Sequence, residues 1–303
     1  MANTGMLQIK IYTRKFFRTL KKESIISIFM GIIITLLVMG VTHDSMFEYF
    51  EGTKTGMFSL ICVCIWIGIF NSIQLVCREK NDIVKDELDK SLHATSYMAA
   101  HFIYQFFLCL IQSLIVFIIF TIFMAVGGKM DVIGSPFAYL VTMFLIMYAS
   151  DTMAFVISTA VPNPIVAMTI MPLLLLVQLV MAGVLFELGE AASFVANFTI
   201  SKWGMIAFGV IGNICGLPTK AKANMMDMDF KDNRSTEFID EGEMIADSLG
   251  ELDEVDFMSQ TDLDNYGGDI HFAVCWLCFI GFIVAFYFIS VLALKLTTRK
   301  IKK

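Results

Sequence analysis

The chain has 303 residues, of which 57% are hydrophobic and 17% charged, with a formal net charge of −6 and a mean hydropathy of +0.73. A soluble domain of this length holds about a quarter charged residues, so the deficit excludes an ordinary water-soluble protein and implies bilayer around much of the surface. The negative charge is concentrated in residues 220–270, which carry net −11 against +5 for the rest; the balance points to no nucleic-acid partner.

In residues 1–23, Ile9, Tyr12, Phe16 and Leu20 fall on one helical face and Lys10, Arg14, Arg18 and Lys22 on the other. That pattern predicts a cytoplasmic amphipathic helix lying on the inner leaflet. No cleavage pattern precedes the apolar run that follows, so the segment does not read as a secretory signal.

Crossing about 30 Å of hydrocarbon takes about 20 apolar residues. Six runs meet or approach that length: 24–41, 57–76, 98–126, 137–161, 165–186 and 271–294. Helices are the open-ended way to satisfy backbone groups in lipid, so the expected fold is an all-α polytopic membrane protein with six transmembrane helices. Fifteen of the 22 Lys and Arg residues lie in 1–24, in the 77–97 loop and from Lys295 onward. Both termini are therefore expected to be cytoplasmic, with loops 42–56, 127–136 and 187–270 outside. The organisation reads as helices one to five over 24–186, an outer loop over 187–270, and helix six with a basic tail over 271–303.

Residues 77–97 mix Arg78, Lys80, Lys85 and Lys90 with Glu79, Asp82, Asp86, Glu87 and Asp89. On composition alone this is a solvated helical hairpin tip, with carboxylates and cations sharing one face. Within the spans, Asp151 sits about ten residues from the inner end, about 15 Å deep at 1.5 Å per residue. Such a group must face protein or water. Either it lines a path or couples to protons, or it bonds a neighbouring helix through Gln178, Asn71 or Gln74. The lack of a basic partner favours the structural reading. Pro172 removes a hydrogen bond inside the fifth helix and makes it a flexing point.

The first part of the outer loop, to about Leu217, is amphipathic and apolar and predicts short or re-entrant helices at the outer interface. From Lys220 to Ile270, 15 acids face only Lys220, Lys222, Lys231 and Arg234, the composition of a solvated cap over an exit. Asp227, Asp229 and Asp232 break the spacing of a calcium loop and lack its glycine, so no metal site is expected. Seven cysteines form no CxxC or Cys/His cluster. Cys215 alone lies in an outer loop, which leaves one bridge open, to its twin in a dimer or to Cys275.

Arg78-Glu79-Lys80, then Asp86 seven residues after Glu79, then Ser96-Tyr97, resembles the coupling segment of ABC-2-type permeases, particularly the G subfamily of ABC transporters. Pro162-Asn163-Pro164 with Ala167 resembles that family's inner turn before the fifth helix. Met181-Ala182-Gly183-Val184-Leu185-Phe186 resembles the end of that helix, and Ile200-Ser201-Lys202-Trp203-Gly204 the outer helices that follow. Asp86 stands where the family has glutamate, and Ala182 where it has serine.

The resemblance covers about residues 7–218 and the last helix. It implies a dimer of permeases, with itself or a similar chain, coupled to ABC ATPase subunits through Arg78, Glu79, Lys80, Asp82 and Asp86. It also implies a substrate path between the second and fifth helices, with Phe70, Asn71, Gln74, Asp151, Met168, Pro172 and Gln178 as candidates. No G-x-x-x-x-G-K-(S/T) occurs, so no cofactor is expected on this chain, and ATP and Mg belong to a separate ATPase. Separate subunits imply a bacterial plasma membrane and an exporter of a hydrophobic or amphipathic drug, lipid or peptide. Two other classes remain: a proton-coupled transporter using Asp151, and a non-transporting sensor or immunity protein that binds cationic peptides through its acidic outer loop.

Overall fold

The computed structural model describes residues 8–14, 22–79, 94–129, 135–185, 188–217 and 272–301. Every regular element among them is helical. A short helical stretch over 8–14 is followed by α1 (Lys22–Thr42), α2 (Phe50–Ser72), α3 (Ala94–Val126) and α4 (Pro136–Ala160). Then come α5 (Pro164–Val180), the short α6 (Glu190–Ala196), α7 (Ile200–Ile211), a 3-10 turn (Ile214–Gly216) and α8 (Phe272–Ile301). The acidic insert 220–270 and the coupling residues Lys80, Asp82 and Asp86 lie outside the described residues.

Five helices, α1 to α4 and α8, are long and apolar enough to cross a membrane. The run expected as a fifth span, 165–186, is instead the shorter apolar helix α5. Its ends explain the length. Pro164 occupies the first turn, where a missing N–H costs nothing, and Asn163 Oδ1 caps Val166 N–H at 3.0 Å. At the other end the chain turns at Gly183, whose φ of +73° suits glycine.

α2 begins earlier than its apolar run. Thr53 Oγ1 accepts Phe47 N–H and donates to Tyr49 O, both at 2.7 Å, which locks the turn ahead of the helix. The turn before α2 is tied further by Lys129, whose ammonium donates to His43 O and Asp44 O and lies 3.2 Å from Glu48.

α2 and α4 form the centre of the bundle, with 67% and 72% of their apolar windows buried, whereas α1 and α8 have 22% and 17%. The central pair approach closely because residue 68 is glycine: a Cβ there would lie 2.3 Å from Met147 O. Such small-residue contacts let backbones meet where the hydrophobic effect supplies no drive between helices. The stretch expected to lie on the outer interface behaves differently in its two parts. α7 buries Ile200, Gly204, Met205, Ile206 and Phe208 and packs against α2, α4 and α8, while on α6 Phe194 remains exposed. Gly204, where a Cβ would come 3.1 Å from Ile146 and 3.3 Å from Ile61, lets α7 pack closely against α2 and α4. No disulfide forms within the chain, so Cys215 and Cys275 are not bridged to each other.

Candidate functional site

The C-terminal half of α2 organises the site. The helix ends at Ser72, Ile73 and Gln74 form a turn, and a helical segment resumes over 75–79. A break inside a bilayer protein must have its freed backbone groups taken by neighbours. Ser158 Oγ on α4 accepts Val76 N–H at 3.0 Å and Cys77 N–H at 3.2 Å. On the other flank, Gln105 of α3 donates from Nε2 to Asn71 O at 3.4 Å and to Ser72 Oγ at 2.7 Å. Ser72 in turn donates to Asp151 Oδ1 at 2.5 Å.

Asp151 is fully buried, and its second oxygen has no hydrogen-bond partner among the described residues. Its contact is Ser72, and none of the three partners considered for it holds it. Gln178 is engaged elsewhere: Oε1 accepts Ser201 N–H at 3.1 Å and Nε2 lies 3.6 Å from Met153 Sδ, which ties α5 to α4 and to the start of α7.

Next to Ser72 on α2, Asn71 exchanges hydrogen bonds with two helices. Its Oδ1 accepts Ser27 Oγ–H of α1 at 2.5 Å and Gln112 Nε2 of α3 at 3.2 Å, while its Nδ2 donates to Gln112 Oε1 at 2.7 Å. This cluster borders a cavity of about 220 Å³ between α1, α2, α3 and the start of α5. Phe70, Asn71, Gln74 and Arg78 line it from α2 and its continuation, Ser24 and Ser27 from α1, His101, Tyr104 and Leu108 from α3, and Met168 from α5. Ser24 Oγ and Tyr104 OH are 3.0 Å apart across it. Of the candidate path residues, Phe70, Asn71, Gln74 and Met168 thus share one cavity. Asp151 stands behind it through Ser72, Gln178 ties α5 to α4 and α7, and Pro172 lies further along α5 on an exposed face.

At the end of the segment that continues α2, Arg78 Nη2 donates to Gln74 Oε1, and Tyr97 OH donates to the Glu79 carboxylate. His101 Nε2 lies 3.7 Å from Glu79 Oε2, and the Tyr97 and His101 rings meet edge to face at 4.5 Å. Tyr12 of the 8–14 stretch contacts Tyr97 at 6.3 Å between ring centroids. Glu79 therefore joins the end of the second helix to the start of α3 and, through Tyr97, to the N-terminal stretch.

Several residues of this site were not singled out from sequence: Ser24, Ser27, Ser72, His101, Tyr104, Gln105, Gln112 and Ser158. A signal existed for three of them. His101, Gln105 and Gln112 are spaced by four and seven residues within an apolar run, so they share one helix face. Polar residues confined to one face of a span mark its contact with protein.

A helical bundle with five membrane-length apolar helices and a buried polar seam between them is a multi-pass membrane protein. Residues 7–211 match the ABC-2 type transporter family. The chain belongs to that family and is a membrane permease of the ABC-transporter kind. Permease domains of this family are generally non-catalytic transport components that work with an ABC ATPase. No curated protein matches the chain.

Proposed function

We propose that this chain is the membrane-spanning permease subunit of an exporter that moves a hydrophobic or amphipathic drug, lipid or peptide out of a bacterial cell. A separate ATPase subunit, carrying ATP and Mg, drives it, and two permease copies or two similar permeases pair. In this reading α5, about 26 Å long at 1.5 Å per residue, is the fifth of six crossings, and both termini are cytoplasmic. The basic loops at the inner ends support that orientation.

The observation that carries the reading is that the second helix and the segment continuing it past the break at 73–74 make two kinds of contact. Asn71 and Gln74 border the cavity, and Glu79, less than two turns beyond Gln74, meets Tyr97 and His101 at the inner end. Closure of the ATPases against Arg78, Glu79, Lys80, Asp82 and Asp86 would reorient the 75–79 segment about the break at 73–74. The cavity walls at Phe70, Asn71, Gln74 and Met168 would move with it, and Pro172 gives α5 a second point of flexing. Asp151 and Gln178 would hold the helices in register while the path opens.

The test is mild-detergent purification of the tagged chain from its native host, with every co-purifying protein identified by mass spectrometry. A stoichiometric ATPase, lost when Glu79 and Asp86 are reversed in charge, supports the exporter. A chain that purifies with no ATPase under those conditions defeats it.

A further inference from the structure

Three side chains share the Ser72 hydroxyl, and the donors around it can be counted. Its single hydrogen goes to Asp151 Oδ1. The two hydrogens of Gln105 Nε2 go to Ser72 Oγ and Asn71 O. Every donor is then used, while two acceptors, Asp151 Oδ2 and Gln105 Oε1, have no hydrogen-bond partner among the described residues. The carbonyl of Asn71 fixes the Gln105 amide this way round, since the reversed amide would set oxygen against oxygen. Asp151, Ser72 and Gln105 are each no more than 1% exposed.

The surplus is one of charge as well as of acceptors. Among the described residues no cationic side chain pairs with Asp151. The titratable side chains close enough to feel its charge are Cys109 of α3 and Tyr148 of α4, and neither is a cation. His101, one turn before Gln105, faces Glu79, and α8 brings Tyr287 beside Tyr148. α2 meets α4 here with Ser72 and Gly68, α5 with Gln178 at Met153, and α7 with Gly204 at Ile146. α2 ends at Ser72, and a helix C-terminus carries negative partial charge. An ionised carboxylate alone in such surroundings is costly. In interrupted membrane helices, the C-terminal ends of half-helices hold sodium ions or protons. Asn71, Ile73 and Gln74, on either side of Ser72, line the cavity, so the junction lies one residue from its wall.

We propose that Asp151 Oδ2 and Gln105 Oε1 bind one small monovalent cation, a proton or an alkali ion, where α2, α3 and α4 meet. A proton on Asp151 Oδ2 is donated to Gln105 Oε1; an alkali ion is ligated by both oxygens. Either one cancels the charge of the carboxylate and satisfies both acceptors together. A divalent ion would leave a positive charge unbalanced and ordinarily draws on several carboxylates, and no group of three His, Cys, Asp or Glu gathers among the described residues. A water molecule would satisfy the oxygens and leave the charge standing. The site needs neither a transported substrate nor an ATPase.

The test uses the full chain in phosphatidylcholine nanodiscs at neutral pH, beside Asp151→Asn, which sets an amide donor where the proton would be. Infrared difference spectra are recorded, and the thermal unfolding midpoint is followed as sodium or potassium replaces choline at constant ionic strength. A protonated-carboxyl carbonyl band that is lost in Asp151→Asn identifies a proton. A midpoint that rises with alkali-ion concentration in the unaltered chain, but not in Asp151→Asn, identifies an alkali ion. Gln105→Leu should move that band to higher frequency, or raise the half-saturating ion concentration about 10-fold, as expected for loss of one hydrogen bond or ligand to a charged group. Ser113→Ala, which removes a hydroxyl bonded to Leu110 O within α3, should change neither. An ionised-carboxylate band with no ion dependence, the signature of water alone, would overturn the proposal. So would a Gln105→Leu variant that keeps both the band position and the ion affinity; if that variant does not fold, the Asp151→Asn comparison decides alone.

Discussion

Ser72 donates a hydrogen bond to Asp151 at 2.5 Å across the contact between α2 and α4, while receiving one from Gln105 of α3. Three helices thus meet at one serine hydroxyl. Removing it leaves a fully buried carboxyl group with no described partner on either oxygen. Ser72→Ala should lower stability by about 1–3 kcal/mol, the cost of orphaning a buried polar group, measured as the shift of the thermal unfolding midpoint in detergent. Asp151→Asn keeps an acceptor for Ser72 and should be milder. Transport, once a substrate is in hand, should survive Asp151→Asn if the residue is a helix contact; its abolition in that variant would favour the proton-coupled class.

Ser158 takes two backbone N–H groups released by the break in the second helix. Ser158→Ala should therefore loosen the 73–79 segment in particular, seen as faster amide hydrogen exchange at Val76 and Cys77 while the N-terminal half of α2 keeps its protection. A stability loss of about 1–3 kcal/mol is expected. Unchanged exchange at both amides would show that the break is held by other groups.

Gly68 and Gly281 make a matched pair. A Cβ at 68 would strike Met147 O at 2.3 Å, whereas one at 281 meets nothing within 4 Å. Gly68→Ala should force α2 and α4 apart and cost about 1–3 kcal/mol by overpacking. Gly281→Ala should be neutral or slightly stabilising, since alanine is the better helix former by about 1 kcal/mol. Equal melting shifts for the two would refute the close central crossing.

Charge reversal at Glu79 removes the acceptor of Tyr97 and sets a cation beside His101. In the reconstituted transporter, Glu79→Lys should leave membrane insertion and ATP hydrolysis measurable while transport per ATP falls at least about 10-fold, the effect of losing more than 1.4 kcal/mol of coupling. Tyr97→Phe, which keeps the ring stack and loses the hydroxyl, should give a smaller loss in the same assay.

The long apolar runs of α1, α3 and α8 could be read from sequence almost to their ends, because hydrocarbon thickness sets a length and forbids most charges. α5 was overestimated at its outer end. Apolar residues continue through Met181 to Phe186, and nothing in their hydropathy marks the turn that Gly183 makes. α2 was underestimated at its outer end, since Glu51 and Lys54 made Phe50 to Gly56 look like loop. The site divides in the same way. Phe70, Asn71, Gln74 and Met168 were named from a family resemblance and border one cavity. Ser72 and Ser158 carry contacts that no one-dimensional pattern reveals, because their importance comes from facing a helix break across the bundle.

The polar face of α3 constrains how the chain enters the membrane. Gln105 and Gln112 find their partners on α1 and α2, and polar side chains left in hydrocarbon without partners are costly. α3 is thus poorly suited to leave the insertion machinery alone. It is best released after α2 has arrived beside it, and Asp151 of α4 is likewise best released onto a waiting Ser72. The hydrogen-bond seam that holds the finished bundle also sets an order of arrival for its parts during synthesis.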